Sequence, residues 1–385
     1  MSSLAESTTG VGASSDSWET WVKGYAYSFA SYLTDPVCNA HEATRMWSLT
    51  DVLHADSFRV TNYARKFFLG VKGVFYGLLA IPTAPAGIFL RYLAGRLQTD
   101  SYIYYRGEAE EKTIQNEMTL LSWNVCCTSA GYAISDGGVL PWRYRLEEIA
   151  QKIKEKDADV VCLYELFDAN AAFALFEKLK GNYSHFYFNI GPRPTGVSSG
   201  IFVASKLPLN KPEFIAFPKD MLVGRTKNAE KGVFSFEVQD VAHIFATHLQ
   251  HSEESAYPTD EEIKARREEM ELIAQKMDAI KGKAVILTGD LNFGEVEHSQ
   301  SNWVNKFDRG TYPQTPSWGG DEFCATKIAG RPRFSKEMNL DYTMFVNGTA
   351  KAIDTQFIET GFQGSSFNSK ALSDHKGLYS KINFT

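Results

Sequence analysis

Six short polar signatures, each closing an apolar run, are strung in order between Leu121 and Leu378. They read SWN (Ser122–Asn124), CLYE (Cys162–Glu165), THLQ (Thr247–Gln250), GDLN (Gly289–Asn292), LDY (Leu340–Tyr342) and SDHKGL (Ser373–Leu378). Short apolar runs bounded by polar residues are the pattern of buried strands. A chain built this way sets its polar groups at strand ends and in the loops that follow, held by a sheet-based core.

The spacing predicts strands at Thr119–Val125, Val160–Tyr164, His185–Ile190, Gly200–Ala204, Val233–Val238, His243–Thr247 and Ala284–Leu287. Helical periodicity covers Arg143–Glu155, Ala171–Leu179 and Glu261–Ile280, which makes the fold class α/β with sheets and helices interleaved. This pattern begins near residue 118, after a polar linker at 108–117, and runs to residue 385 as one domain.

The N-terminal third is different. Residues 1–17 are rich in Ser, Gly and Thr, lack a basic start followed by an apolar core, and read as a flexible leader rather than a secretory signal. Residues 18–107 read as a helical, membrane-associated segment. Aromatic residues recur at helical spacing from Trp18 to Tyr32. Further on, Gly73–Leu90 contains no charge, with Arg65, Lys66 and Lys72 on one side and Arg91 and Arg96 on the other. A spanning helix needs about 20 apolar residues, and Pro82 and Pro85 in the middle are expected to break or kink one. The expectation is a kinked hairpin entering one leaflet, with its basic flanks at anionic headgroups. The plainer alternative is two buried helices joined by a proline turn.

Net charge of −6 and a pI near 5.8 do not favour a general nucleic-acid binder. Five cysteines (Cys38, Cys126, Cys127, Cys162, Cys324) show no zinc-ligand spacing and read as reduced thiols, which fits a catalytic part facing the cytosol.

The residue types at the strand ends point to hydrolysis of a phosphodiester. Hard cations such as Mg²⁺ take oxygen ligands, often one or two carboxylates plus water and substrate phosphate. Glu165 is the leading metal ligand, with Asn124 beside it. Asp290 and Asn292 are two apart, so on an extended backbone both face the same way. The amide can bind a phosphate oxygen, and the carboxylate can position water or a second metal. In-line displacement also needs a base and charge neutralisation. His375 is assigned as base, oriented by Asp341, with Asp374 supporting the metal or phosphate site. His248 is assigned as general acid or transition-state stabiliser.

These signatures resemble the endonuclease/exonuclease/phosphatase superfamily from about Met118 onward. The resemblance implies a two-layered β-sandwich flanked by helices (DNase-I-like) and supports those roles. Tyr164–Phe186, Ser198–Leu209, Glu230–Val238 and Thr247–Ser255 look like the neutral sphingomyelinase branch, and SYIYYRG (Ser101–Gly107) after an apolar segment is similar to its membrane-anchored form. That branch implies Mg²⁺ (Mn²⁺ as the alternative), sphingomyelin as lipid substrate, ceramide and phosphocholine as products, and a membrane surface with anionic lipids as partner. It also implies a lysine near the substrate, here Lys231, with Asp220 as its carboxylate partner. Another phosphodiesterase or phosphatase of the same fold is the alternative. MNLDYTMF (Met338–Phe345) lacks the arginine an inositol-phosphate phosphatase carries after its aspartate.

Overall fold

The computed structural model describes residues 18–97, 101–191, 197–253, 257–294 and 338–384, except 115, 347, 359 and 363–369, together with 297, 306–308, 313, 315–319 and 328. The leader, His298, Cys324 and most of the stretch between Phe307 and Met338 fall outside the described residues.

The chain opens with two long helices, α1 (Trp18–Leu53) and α2 (Arg59–Leu97). Strands β1 (Ile103–Arg106) and β2 (Glu117–Asn124) follow, then α3 (Tyr132–Asp136), α4 (Leu146–Lys156), β3 (Val160–Tyr164) and α5 (Ala169–Leu179). Next come β4 (His185–Phe188), β5 (Phe202–Ser205), β6 (Leu209–Ala216), β7 (Gly232–Val238) and β8 (Ala242–His248). Helix α6 (Asp260–Asp278) leads to β9 (Ala284–Asp290), β10 (Phe307–Asp308) and β11 (Asp341–Val346). The chain finishes with β12 (Ala350–Ile358), β13 (Gly361–Phe362), β14 (Lys370–Ala371) and β15 (Gly377–Phe384).

Two sheets result, ordered β1-β4-β5-β3-β2-β15-β12 and β10-β11-β9-β8-β7-β6, beside a small β13-β14 ribbon. Alternation along each strand decides what each face meets. Leu120, Val160, Cys162 and Val203 of the first sheet pack on Phe234, Phe236, Ile244 and Ile286 of the second. The neighbours Leu121, Val161 and Leu163 turn outward onto Leu146, Ile149, Ile153 and Leu175 of α4 and α5. On the far side, Phe245 and Leu287 meet Met270, Ile273 and Met277 of α6. The result is a sandwich with helices on both outer faces. Helix α6 starts from a capping box in which Thr259 and Glu262 satisfy each other's main-chain N–H.

The central pairs β2–β3 and β8–β9 are parallel, so Asn124, the residue after Tyr164, His248 and Asp290 all emerge at one end. Strand β11 runs back against β9 with Asp341 opposite Asp290. Gly289 permits the β8–β9 approach. A Cβ there would lie 1.9 Å from the Thr247 carbonyl oxygen.

The N-terminal helices depart from the sequence reading in three ways. Helix α1 runs well past Tyr32, to Leu53. Ile103–Arg106, inside the stretch expected to be helical, is a strand pairing with β4 at the sheet edge. Helix α2 passes through Pro82 and Pro85 without a break, and the hairpin lies between α1 and α2 rather than within the apolar segment. A neighbouring helix and hydroxyl side chains let a helix tolerate proline, and both are present. Thr83 Oγ1 donates to the Leu79 carbonyl at 3.0 Å. Gly87 lies so close to α1 that a Cβ would come within 2.8 Å of Leu33 Cβ and Thr34 Cγ2. Lys66 pairs with Asp51, and Lys72 lies 3.7 Å from Glu42, so the two helices are antiparallel along most of their length.

Helix α1 in turn docks on the sandwich. Arg143 reaches both Asp35 and Glu42 at 3.3 Å, Asn170 donates to Asp35 at 3.1 Å, and His41 Nδ1 lies 3.1 Å from the Ala130 carbonyl. Helix α2 keeps its other side open. Phe67, Val71, Val74, Leu78, Ile81 and Ile88 form an exposed stripe at helical spacing, with Phe68, Phe75 and Phe89 beside it. Among the described residues, Arg59–Arg96 is the one helix long and apolar enough to cross a membrane, judged by length and composition.

Candidate active site

Asn124 closes β2 and is fully buried. Its Nδ2 donates to Glu165 Oε1 at 3.0 Å and to Asp290 Oδ2 at 2.9 Å, while its Oδ1 accepts from the Cys126 N–H at 3.0 Å. Glu165 follows β3 with φ +60°, the left-handed region that a non-glycine residue seldom occupies. Cys126 (φ +46°) and Asn292 (φ +54°) share that region. Such backbone persists only where its surroundings fix it. Here Cys127 N–H donates to the Glu165 carbonyl at 3.0 Å, and Leu166 N–H to Gly200 at 2.9 Å.

His375 Nδ1 lies 2.8 Å from Asp341 Oδ2, and its Nε2 lies 3.6 Å from Asp290 Oδ2. His248 Nε2 lies 3.6 Å from the same Asp290 oxygen and 3.8 Å from Glu165 Oε1, and among the described residues neither of its ring nitrogens makes a hydrogen bond. The structure thus gathers Asn124, Glu165, His248, Asp341 and His375 around Asp290.

Asp374 sits beside this group, accepting from Trp318 Nε1 at 3.3 Å. Asn292 is attached differently from the sequence expectation. Leu291 does point inward, but the positive φ ends the extended backbone. The Asn292 N–H folds back onto Asp290 Oδ1 at 3.0 Å, and its amide donates to the Leu249 carbonyl at 3.3 Å. Lys231 is buried, and the carboxylates acting on it are Glu165, Asp290 and Glu269. Asp220 is exposed at a turn.

Burial and crowding divide the titrating groups. Burial, then the Asp374 charge, raises the pKa of Glu165, and burial lifts Asp290 to about 7. Burial lowers Lys231 to about 8 and raises Glu269 to about 8. The histidines split. Burial holds His248 well below its ordinary value, with Lys231 adding to the effect. Burial also acts downward on His375, but Asp341, Asp290 and Asp374 outweigh it and hold the imidazolium.

Glu165, His248 and Asp290 can each offer a ligand atom within one small cluster, and Asp290, Asp341 and His375 form a second. Carboxylates this close, oriented by the Asn124 NH₂, form an oxygen set suited to a hard divalent cation.

Sequence reasoning missed several residues that shape this site. Ser373 donates to the Asn124 carbonyl at 2.6 Å. Gly289 sets the strand spacing, Trp318 contacts Asp374, and Glu269 and Arg266 lie buried under the loop after β8. Ser373 and Gly289 stand inside the quoted motifs and could have been read there. Trp318 and Glu269 carry no local signal.

Stacked sheets with an acid, amide and histidine cluster at one end define a hydrolytic class of fold. The chain belongs to the Endonuclease/Exonuclease/phosphatase family, whose model matches residues 121–375. A curated relative, sphingomyelin phosphodiesterase 5 of Danio rerio, is 32% identical over 108 residues, covering 24% of this chain and 20% of that protein. The chain therefore matches about a fifth of that relative's length. Among solved structures, SmcL superposes with a TM-score of 0.55 at 21% identity, covering 69% of this chain and 99% of SmcL. A Staphylococcus aureus beta toxin variant with bound magnesium ions gives 0.53 at 19%, covering 70% and 100%. At these identities the solved structures speak to the fold.

Proposed function

We propose that the chain is a membrane-associated, Mg²⁺-dependent phosphodiesterase of the phospholipase C type, hydrolysing sphingomyelin to ceramide and phosphocholine. The observation that carries this reading is a joint one. A carboxylate–amide–histidine cluster closes one end of the sandwich, and an exposed apolar helix is fastened to the same domain.

Glu165 and Asp290 would supply carboxylate oxygens to the metal, and Asn124, expected from the sequence as a ligand, instead orients both carboxylates through its NH₂ because its Oδ1 is taken by the Cys126 N–H. When bound there, a divalent cation supplies positive charge for the phosphoryl oxygens. His375 takes the proton of the attacking water at Nε2, since Nδ1 is committed to Asp341. It can do so only once the carboxylates that hold its imidazolium are charge-compensated. Of the two roles considered for His248, its neutral ring fits the stabiliser, donating an N–H to a phosphoryl oxygen, while the P–O bond to ceramide breaks and solvent water protonates the departing ceramide oxygen. Lys231 and Asn292 add positive and amide contacts for the phosphate, and Asp374 steadies the His375 side.

Helix α2 lies along the membrane surface rather than across it. From Lys66 to Gly87 its inner side is committed to α1, and α1 is committed to the sandwich. The outer stripe from Phe67 to Phe89 is roughly 33 Å long at about 1.5 Å per residue. Laid flat, it submerges an apolar face at the headgroup boundary. The substrate never leaves the bilayer, so anchoring raises its effective concentration. The described cysteines are free, which suits a cytosol-facing domain.

The test is phosphocholine release from sphingomyelin vesicles with Mg²⁺ and with chelator, beside phosphatidylcholine vesicles and a nicked plasmid. Metal-dependent release from sphingomyelin, lost in Glu165→Ala with the circular dichroism unchanged, is the expected result. Plasmid cleavage without lipid turnover would overturn the substrate and leave the cluster as a nuclease site.

A further inference from the structure

Arg145, at the N-terminus of α4, is fully buried. Its hydrogen bonds among the described residues all end on main-chain carbonyls. Nη1 donates to Val125 at 2.8 Å and to Leu372, Nη2 to Cys126 at 2.6 Å, and Nε to Leu140. A guanidinium carries its charge permanently and offers five N–H groups in a rigid plane. Burying it is costly unless those donors are met. Here carbonyl dipoles from three chain segments meet them, and two of those segments carry the site.

Val125 and Cys126 directly follow Asn124, and Leu372 directly precedes Ser373, Asp374 and His375. The same two segments meet a second time through Ser373. Its hydroxyl donates to the Asn124 carbonyl at 2.6 Å, 249 positions away in the chain, and accepts from the His375 N–H at 3.2 Å. Trp123 Nε1 adds a bond to the His375 carbonyl at 3.0 Å.

One peptide unit links the cation to the amide. The unit between Val125 and Cys126 turns its oxygen to the guanidinium and its N–H to Asn124 Oδ1. A cation at the oxygen end polarises that unit and strengthens its N–H as a donor. With Oδ1 engaged there, the Asn124 NH₂ faces Glu165 and Asp290. The left-handed Cys126 backbone is held by the same guanidinium through its carbonyl.

We propose that Arg145 is a positioning residue: it sets the orientation of the Asn124 amide and locks the Asn124 segment against the segment bearing Asp374 and His375. It touches neither substrate nor metal. A lysine cannot replace it, because a compact ammonium cannot reach three segments at once.

This inference rests on the metal-dependent reading above, so its test has a readout apart from turnover. The full chain, Arg145→Lys, Arg145→Met and Ser373→Ala are titrated with MgCl₂, following both melting temperature and phosphocholine release. Groups that orient a metal's ligands typically cost 10–100-fold in affinity or activity when lost. We expect the Mg²⁺ concentration at half the thermal shift to rise on the order of 10–100-fold in both arginine variants. The expected kinetic signature is a fall in kcat at saturating Mg²⁺ with KM little changed. A folded Arg145→Lys protein with wild-type Mg²⁺ half-point and kcat would overturn the proposal, whatever its melting temperature. If neither arginine variant folds, Ser373→Ala decides, since it parts the same segments and keeps the guanidinium. An unchanged Mg²⁺ response there overturns the proposal too. A wild-type chain that binds Mg²⁺ without cleaving sphingomyelin would sink the substrate reading alone, leaving the thermal-shift comparison to judge Arg145.

Discussion

The strand-end cluster and the outer stripe of α2 invert the usual partition of a soluble protein in opposite senses. At the cluster, charge goes inside: Asp290, Asp341, His375, Lys231 and Arg145 are all buried. On α2, grease goes outside: Phe67, Phe68, Val74 and Leu78 are each about two-thirds exposed. The first arrangement is interlocked, because Asp290 alone faces Asn124, His248 and His375. The second is a row of side chains with few mutual ties. Groups that share partners couple, whereas separated ones add. The two regions should therefore respond differently to combined substitution.

The largest effect belongs to the cluster. His375→Ala should lower kcat on the order of 10²–10⁴-fold, and adding Asp341→Asn to it should cost little more, since Asp341 acts through the imidazole. A double variant whose losses multiply would break the interlocking claim, and steady-state kinetics on vesicles measures it. On α2 the opposite is expected. Phe67→Glu, Phe75→Glu and Leu78→Glu should each weaken vesicle co-sedimentation by about tenfold, and together by roughly 10³, as independent burial of apolar area predicts. Turnover of sphingomyelin dispersed in detergent should stay unchanged. The smallest effect is a displacement along the pH axis. Asp341 raises the His375 pKa, so Asp341→Asn lowers it and the neutral base persists to lower pH. The acid limb of the kcat/KM profile should then move to lower pH, against a reduced plateau.

The cluster could be read from sequence because buried strands advertise themselves through apolar runs, and the polar residue closing each run has nowhere to go but the sheet end. Val160–Tyr164 is found as expected, and most other elements differ by a few residues at their ends. Helix α2 resisted that reading. A proline rule is local, whereas Pro82 and Pro85 sit in a helix backed by α1 at Gly87. Arg145 was opaque for the same reason. Beside Glu147 and Glu148 it looks like part of a solvated helix start, and only the folded chain turns it inward. Asn292 shows a third limit: spacing gives the sidedness of Leu291 correctly, but a left-handed φ beyond the strand end has no signature in GDLN.

Strand β15 lies between β2 and β12 in the interior of its sheet, yet it is the last strand in chain order. A ribosome making this chain must translate past residue 384 before the place between β2 and β12 can be filled. Asn124 therefore waits, already synthesised, for a His375 segment that arrives on the order of 10–50 s later at about 5–20 residues per second. Until then the nascent chain can carry its apolar helix while its strand-end cluster still lacks His375.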